Sequence, residues 1–301
     1  MVKQTSLSFS SAGTSCRGEL FLPTAVDEPP VVVMAHGFGG ERTWRLPAFA
    51  RRFADHGLAA LVFDYRTFGD SDGTPRNQIR PRQQLEDWRA ALAHARSRDD
   101  IDGDRLGLWG TSFSGGHVIT TAARDPDVSA AVAQVPFTDG LATAATLIRR
   151  GGVSYVRGAV AGSLTDLTRA ATGRDPNYVP LVGDPDEFAV LNTPDAKPGF
   201  ESIVPDGATV RNACPGRILA TVPLYRPITA ASEVSCPVFV TAATRVRLSR
   251  PGPSSDWSRS STTSSESGCL SATSTSTREP RSNTSSTVRV RFSSDSCGRR
   301  L

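Results

Sequence analysis

Leu108-Trp109-Gly110-Thr111-Ser112-Phe113-Ser114-Gly115-Gly116 passes from an apolar strand through a sharp turn into a helix, with a serine at the turn. Small residues at Gly110, Ser114 and Gly115 let strand and helix approach each other around a strained backbone position. The Ser112 hydroxyl then projects into a cleft beside the amide of Phe113, the arrangement of a nucleophile elbow. Ser114 stands where the G-x-S-x-G pattern has its second glycine, a small-for-small change with Gly115 next to it.

On either side of this turn, from about residue 3 to 138, strand and helix patterns alternate, which predicts an α/β fold with a mostly parallel sheet and helices on both faces. The strands are expected at Leu7–Ser10, Gly18–Leu22, Pro30–Ala35, Ala59–Phe63, Leu106–Trp109 and Ala130–Val135. Trp44–His56 and Arg82–Arg98 carry apolar residues at helical spacing, and Phe113–Ala123 follows the glycine-rich turn. Residues 139–226 break the alternation with Pro, Gly and small apolar residues. They read as a cap inserted over the C-terminal edge of the sheet, where open α/β folds bind ligands. The strand pattern resumes over Ser235–Ala243, so the expected division is core 1–138, cap 139–226, last core strand 227–244 and tail 245–301.

His36-Gly37-Phe38-Gly39-Gly40 directly follows the strand ending at Ala35. Its glycines let a backbone amide, that of Phe38, point at a developing oxyanion together with the amide of Phe113. A phosphate cradle is the other use of such a turn, but the G-x-G-x-x-G and Gly-Lys-Ser/Thr patterns are missing. His36 reads as a structural residue of that loop. A third segment, Phe63-Asp64-Tyr65-Arg66-Thr67-Phe68-Gly69-Asp70-Ser71-Asp72-Gly73, lies past the strand Ala59–Phe63.

With these three segments the chain resembles the α/β-hydrolase superfamily, in particular its capped esterase-like, serine-aminopeptidase-like and dienelactone-hydrolase-like members. The resemblance covers about residues 5 to 244. It implies hydrolysis of an ester, thioester or amide through an acyl-enzyme on Ser112, with a small-molecule acyl substrate and no cofactor. A serine disfavours the dehalogenase branch, which needs Asp there, and the true dienelactone branch, which uses Cys. On this reading Asp64, Asp70 and Asp72 are structural loop acids; the alternative, a cation site, lacks EF-hand spacing.

The family's order of nucleophile, then acid after a late strand, then histidine is broken here. The histidines are His36, His56, His94 and His117, so no triad histidine is found. His117 lies five residues after Ser112 on one helix, turned by about 140° and displaced by about 7.5 Å, and reads as a packing or solvent residue. The triad acid is missing too: past Val238-Phe239-Val240 the chain reads Ala243-Thr244-Arg245-Val246-Arg247. Asp139, after the sixth strand, is a weak alternative acid with no histidine to orient. Loss of a triad histidine removes about 10⁶ in turnover, so the chain as written is expected to be nearly inactive.

Composition explains where the pattern stops. The chain has 301 residues, 38% of them hydrophobic and 21% charged, enough for one large globular domain or two small ones. Its net charge of +4 sits in the tail: residues 245–301 hold ten arginines and four acids, and the remainder carries −2. The body therefore has no basic bias toward nucleic acid. The tail also holds 18 serines and seven threonines without apolar periodicity, a composition that predicts disorder. One hypothesis for the change is a slip of reading frame near Arg245. The codons of Thr273, Ser274 and Thr275 permit His-Phe-Asp in the lost frame, and resequencing that returned an unbroken frame would overturn this.

Five scattered cysteines, Cys16, Cys214, Cys236, Cys269 and Cys297, suggest neither a disulfide framework nor a zinc site. The apolar runs are strand-sized and the start lacks an export pattern, so no membrane span and a cytoplasmic location are expected. Two readings from other classes remain. One is a non-catalytic binder of acyl compounds that keeps cleft and cap. The other, ranked last because basic runs and interleaved aromatics are absent, has the tail binding nucleic acid or an anionic surface. Oligomeric state is not readable from the sequence.

Overall fold

The computed structural model describes residues 1–208 and 210–242; the tail assignment, the reading-frame hypothesis, Cys269 and Cys297 lie outside the described residues. The chain opens with a hairpin of β1 (Val2–Ser11) and β2 (Thr14–Pro23), joined by Ala12 and Gly13, both at positive φ. Two such residues give the tight turn whose twist matches its strands. Pairing runs from Ser11↔Thr14 to Val2↔Pro23, so both strands are longer than their apolar cores suggest. Polar residues such as Lys3, Gln4 and Thr5 are carried into β1 by the ladder.

Next come β3 (Pro30–Ala35), α1 (Leu46–Asp55), β4 (Ala59–Phe63), α2 (Pro81–Arg96), β5 (Asp102–Thr111), α3 (Phe113–Arg124) and β6 (Ala130–Gln134). The insert holds α4 (Gly140–Ala171), β7 (Tyr178–Val179), α5 (Ala196–Ile203), β8 (Cys214–Pro215) and α6 (Ile218–Thr221). β9 (Val238–Thr241) closes the series, and β7 and β8 form a separate antiparallel pair. Among the described residues the main sheet has seven strands in the order β1-β2-β4-β3-β5-β6-β9. The β1/β2 and β2/β4 pairs are antiparallel and the remaining four parallel.

β4 is buried along its whole length, as a strand covered on both faces must be. One face carries Phe21, Met34, Val62 and Trp109 against Leu46, Ala50 and Ala54 of α1. The other carries Val33, Leu61, Phe63 and Leu108 against Trp88 and Leu92 of α2 and Val118 and Ala122 of α3. The parallel register sets Ala35 beside Gly110, so the turns after β3 and β5 leave the sheet at the same level.

α4 begins at Asp139, whose Oδ1 accepts the amides of Leu141 and Ala142, and it kinks at Gly152 (φ 57°). Inside the insert Asp166 is fully buried and accepts Arg217 N at 2.9 Å, Arg217 Nε at 2.5 Å and Asn177 N at 2.9 Å. No described helix is long and apolar enough to cross a membrane.

Candidate active site

Ser112 sits between β5 and α3 at φ 55°, ψ −118°, a conformation that costs a non-glycine residue about 1–3 kcal/mol. Its surroundings hold it there. Ser112 N donates to Gln134 O at 2.9 Å, and Ser112 O accepts from Phe137 N at 2.8 Å. A Cβ on Gly110 would lie 2.5 Å from Ser114 O, one on Gly115 2.9 Å from Pro136 Cα, and one on Gly116 2.3 Å from Phe137 O. These glycines are therefore required by close approach, and Ser112 is left exposed at the sheet's C-terminal edge.

Ser114 is more than a stand-in for glycine. It is fully buried, and its Oγ accepts from Tyr65 Oη at 3.1 Å, which in turn accepts from Trp88 Nε1 at 3.1 Å. The chain ties the first turn of α3 to the loop after β4 and to α2. Burial pushes the Tyr65 phenol well above its ordinary range, so it acts as a neutral donor.

The turn His36–Gly40 lies against the elbow. A Cβ on Gly37 would be 3.1 Å from Thr111 O and 3.4 Å from Ser112 Cβ, and one on Gly39 would meet Leu181 of the insert at 2.7 Å. Phe38 and Phe113 pack edge to face at 5.5 Å. The Phe113 amide opens α3 and has no intrahelical acceptor, and among the described residues neither it nor the Phe38 amide has a hydrogen-bond partner.

No histidine is hydrogen-bonded to the Ser112 hydroxyl. His36 is buried and donates from Nδ1 to Gly37 O at 3.0 Å; its Nε2 stands 3.7 Å from Asp64 Oδ1 without a hydrogen bond. Burial holds its pKa below the ordinary value despite Asp64, leaving a neutral ring. His117 is wholly buried, with Nε2 donating to Gln84 Oε1 at 3.1 Å and Nδ1 accepting from Tyr225 Oη at 2.6 Å. Burial pushes its pKa down to about 3, so it is a neutral packing residue. His56, at the C-terminal cap of α1, donates from Nδ1 to Arg52 O at 2.9 Å, and His94 stacks on Phe9. None is hydrogen-bonded to Ser112.

The acids are likewise engaged. Asp64 is buried under Gly69 and accepts Arg42 N and Arg42 Nη1, while Arg42 Nη2 donates to Asp70 at 2.7 Å. An arginine thus occupies the position between Asp64 and Asp70 that a cation would need. No group of three or more metal-ligating side chains occurs among the described residues. Asp139 caps α4 and accepts Arg226 Nη2 at 2.8 Å, and that arginine holds its carboxyl below the usual range. β9 ends at Thr241, level with Gln134 of β6, and Ala242 follows. In the insert, Leu147 and Tyr155 are buried, with Tyr155 Oη donating to Val190 O at 3.0 Å, and Tyr178 Oη donates to Arg76 O at 3.1 Å. Phe137 stacks on Tyr225 at 6.1 Å beside Phe113.

Residues 13–182 match the family described as X-Pro dipeptidyl-peptidase (S15 family). Over 236 residues the chain is 41% identical to the quorum-quenching protein AidA of Acinetobacter baumannii (strain MDR-ZJ06), covering 77% of this chain and 75% of that one. It is 33% identical over 172 residues to the thiohydrolase apmlB of Arthrinium phaeospermum, covering 57% of this chain and 54% of the relative. The crystal structure of the α/β hydrolase GrgF from Penicillium sp. sh18 superposes with a TM-score of 0.68 at 25% identity over 80% of each chain. The sheet order, the strained serine after β5 and these likenesses agree: the chain belongs to the α/β-hydrolase superfamily, within the S15 family.

Proposed function

We propose that this chain is a serine-dependent acyl hydrolase, acting on ester, thioester or amide bonds through an acyl-enzyme on Ser112, with the Phe38 and Phe113 amides as oxyanion donors and residues 139–226 as a cap. The observation that carries this reading is the strained, exposed Ser112 at the head of α3, with the turn His36–Gly40 packed against it. A thiohydrolase among the relatives supports acyl chemistry in general. In the first step Ser112 Oγ bonds to the acyl carbon, the bond to the leaving group breaks, and the hydroxyl proton must pass to a base. With none of the four histidines hydrogen-bonded to Ser112, that base is solvent or buffer, and turnover is impaired.

A short-chain nitrophenyl ester tests this. The expected result is a slow, Ser112-dependent rate, about 10⁶ below that of a complete triad, which rises when imidazole supplies the missing base and does not rise in Ser112→Ala. Equal rates in the two proteins at every imidazole concentration would reject the reading. The sequestered histidines favour one alternative, a non-catalytic binder of acyl compounds; saturable ester binding with no Ser112-dependent product would establish it.

A further inference from the structure

A groove of about 600 Å³ runs between α2 and the C-terminal end of α3, and none of the residues around Ser112 lines it. Arg82 and Arg89 border it from α2 and Arg124, in the last turn of α3, from the other helix. Seven residues apart, Arg82 and Arg89 share one face of α2 about 10 Å apart along its axis. Two acids also line the groove, but neither balances this charge. Glu86 is held by Arg66 at 2.7 Å and Asp125 by Arg96 at 2.8 and 3.0 Å, and neither of those arginines lines the groove. Arg82, Arg89 and Arg124 make no ion pair among the described residues. Three cations gathered without countercharge repel one another, and a bound anion relieves that repulsion.

The floor has a different character. Leu92 and Thr121 are 1% and 7% exposed, and Leu85 and Pro126 add apolar surface beside them. The Thr121 hydroxyl is buried without a hydrogen-bond partner among the described residues. Its neighbour Thr120 instead donates to Gly116 O at 3.1 Å, the bond that a helical threonine makes to the carbonyl four residues back. A buried hydroxyl left unpaired costs stability, and the groove is the open space that Thr121 borders.

We infer that this groove is a binding site for an organic di- or triphosphate, with its oxyanions on Arg82, Arg89 and Arg124 and the rest of the molecule on the apolar floor. Guanidinium groups suit phosphate because each planar fork gives paired hydrogen bonds to two oxygens. Cations spread over about 10 Å suit a chain of phosphates better than a single one. The volume lies within the range of small-molecule sites. A nucleic acid would need basic surface beyond the groove, and outside residues 245–301 the chain carries a net charge of −2.

Calorimetric titration of the full chain at low salt with inorganic diphosphate and with ADP tests this. Both should bind, ADP more tightly because its body adds contact with the floor, and both affinities should fall as salt is raised. Arg89→Gln combined with Arg124→Gln should weaken both probes at least about tenfold, the loss of one charge-assisted hydrogen bond. Both arginines are exposed, so an unchanged thermal melt will show that the double variant folds, and each single variant repeats the test with a smaller change. Leu85→Ser should leave diphosphate binding as it is and remove the advantage of ADP. Absence of diphosphate binding, equal affinities in the wild type and the double variant, ADP no tighter than diphosphate, or sulfate as tight as diphosphate would each overturn the inference. So would single-stranded RNA binding more tightly than either probe and losing that affinity in the double variant, which would assign the groove to nucleic acid.

Discussion

Arg217→Ala is expected to lower stability at neutral pH by about 3 kcal/mol, because it leaves the buried Asp166 carboxylate without its countercharge. Burial alone pushes that carboxyl up; hydrogen bonds from the Arg217 side chain and from the Arg217 and Asn177 amides outweigh it and hold the pKa below the ordinary value. A folded-state pKa below the unfolded one contributes stability that is present above the unfolded pKa of about 3.9 and is lost as pH falls through the folded value. In the variant the balance reverses: the carboxyl is raised, and protonating it relieves the penalty. Urea unfolding of both proteins at pH 7 and pH 4 checks this, and the difference between them should shrink toward acid. A difference below about 1 kcal/mol at pH 7, or one that does not change with pH, would remove the pair from its structural role.

Gly110→Val should have an effect of similar size for a different reason. The added Cβ lies 2.5 Å from Ser114 O and 2.7 Å from Ser114 C, both backbone atoms that cannot swing aside. Either strand and helix separate or the elbow distorts, at a cost of about 3 kcal/mol. For a domain of this size that lowers Tm by roughly 6–12 °C. Gly107→Ala in the same strand is the control: its Cβ meets nothing closer than 3.5 Å, so its melt should stay near that of the wild type. Equal shifts in the two variants would show that the close approach at Gly110 is not what fixes the elbow.

Much of this architecture was legible because short-range chemistry sets it. Val31–Ala35 and Ala59–Phe63 are continuous apolar runs of strand length, and the structure places them side by side and parallel at the centre of the sheet. The elbow was legible because the requirement for small residues at Gly110 and Gly115 is written in the local sequence. The extensions of β1 and β5 were not, since Lys3 and Asp102 enter strands through pairing with Leu22 and Pro30. The local sequence shows only the small size of Ser114, because its hydroxyl's partner Tyr65 is 49 residues away. The burial of His117 between Gln84 and Tyr225 likewise depends on α2 and the insert meeting over one helix face. The insert's Asp166–Arg217 pair, 51 residues apart, had no local signal at all.

The central claim is that Ser112 is a nucleophile whose activating partners are missing. It is tested most directly by incubating the full chain with a fluorophosphonate and measuring intact mass over time. In this reaction Ser112 Oγ bonds to phosphorus as fluoride leaves, so labelling reports the elbow and the oxyanion donors without a complete turnover. The account predicts a single adduct on Ser112 that forms slowly, accelerates with added imidazole and is absent from Ser112→Ala. Fast stoichiometric labelling without imidazole would contradict the missing base, and an adduct that persists in Ser112→Ala would contradict the assignment of Ser112 itself.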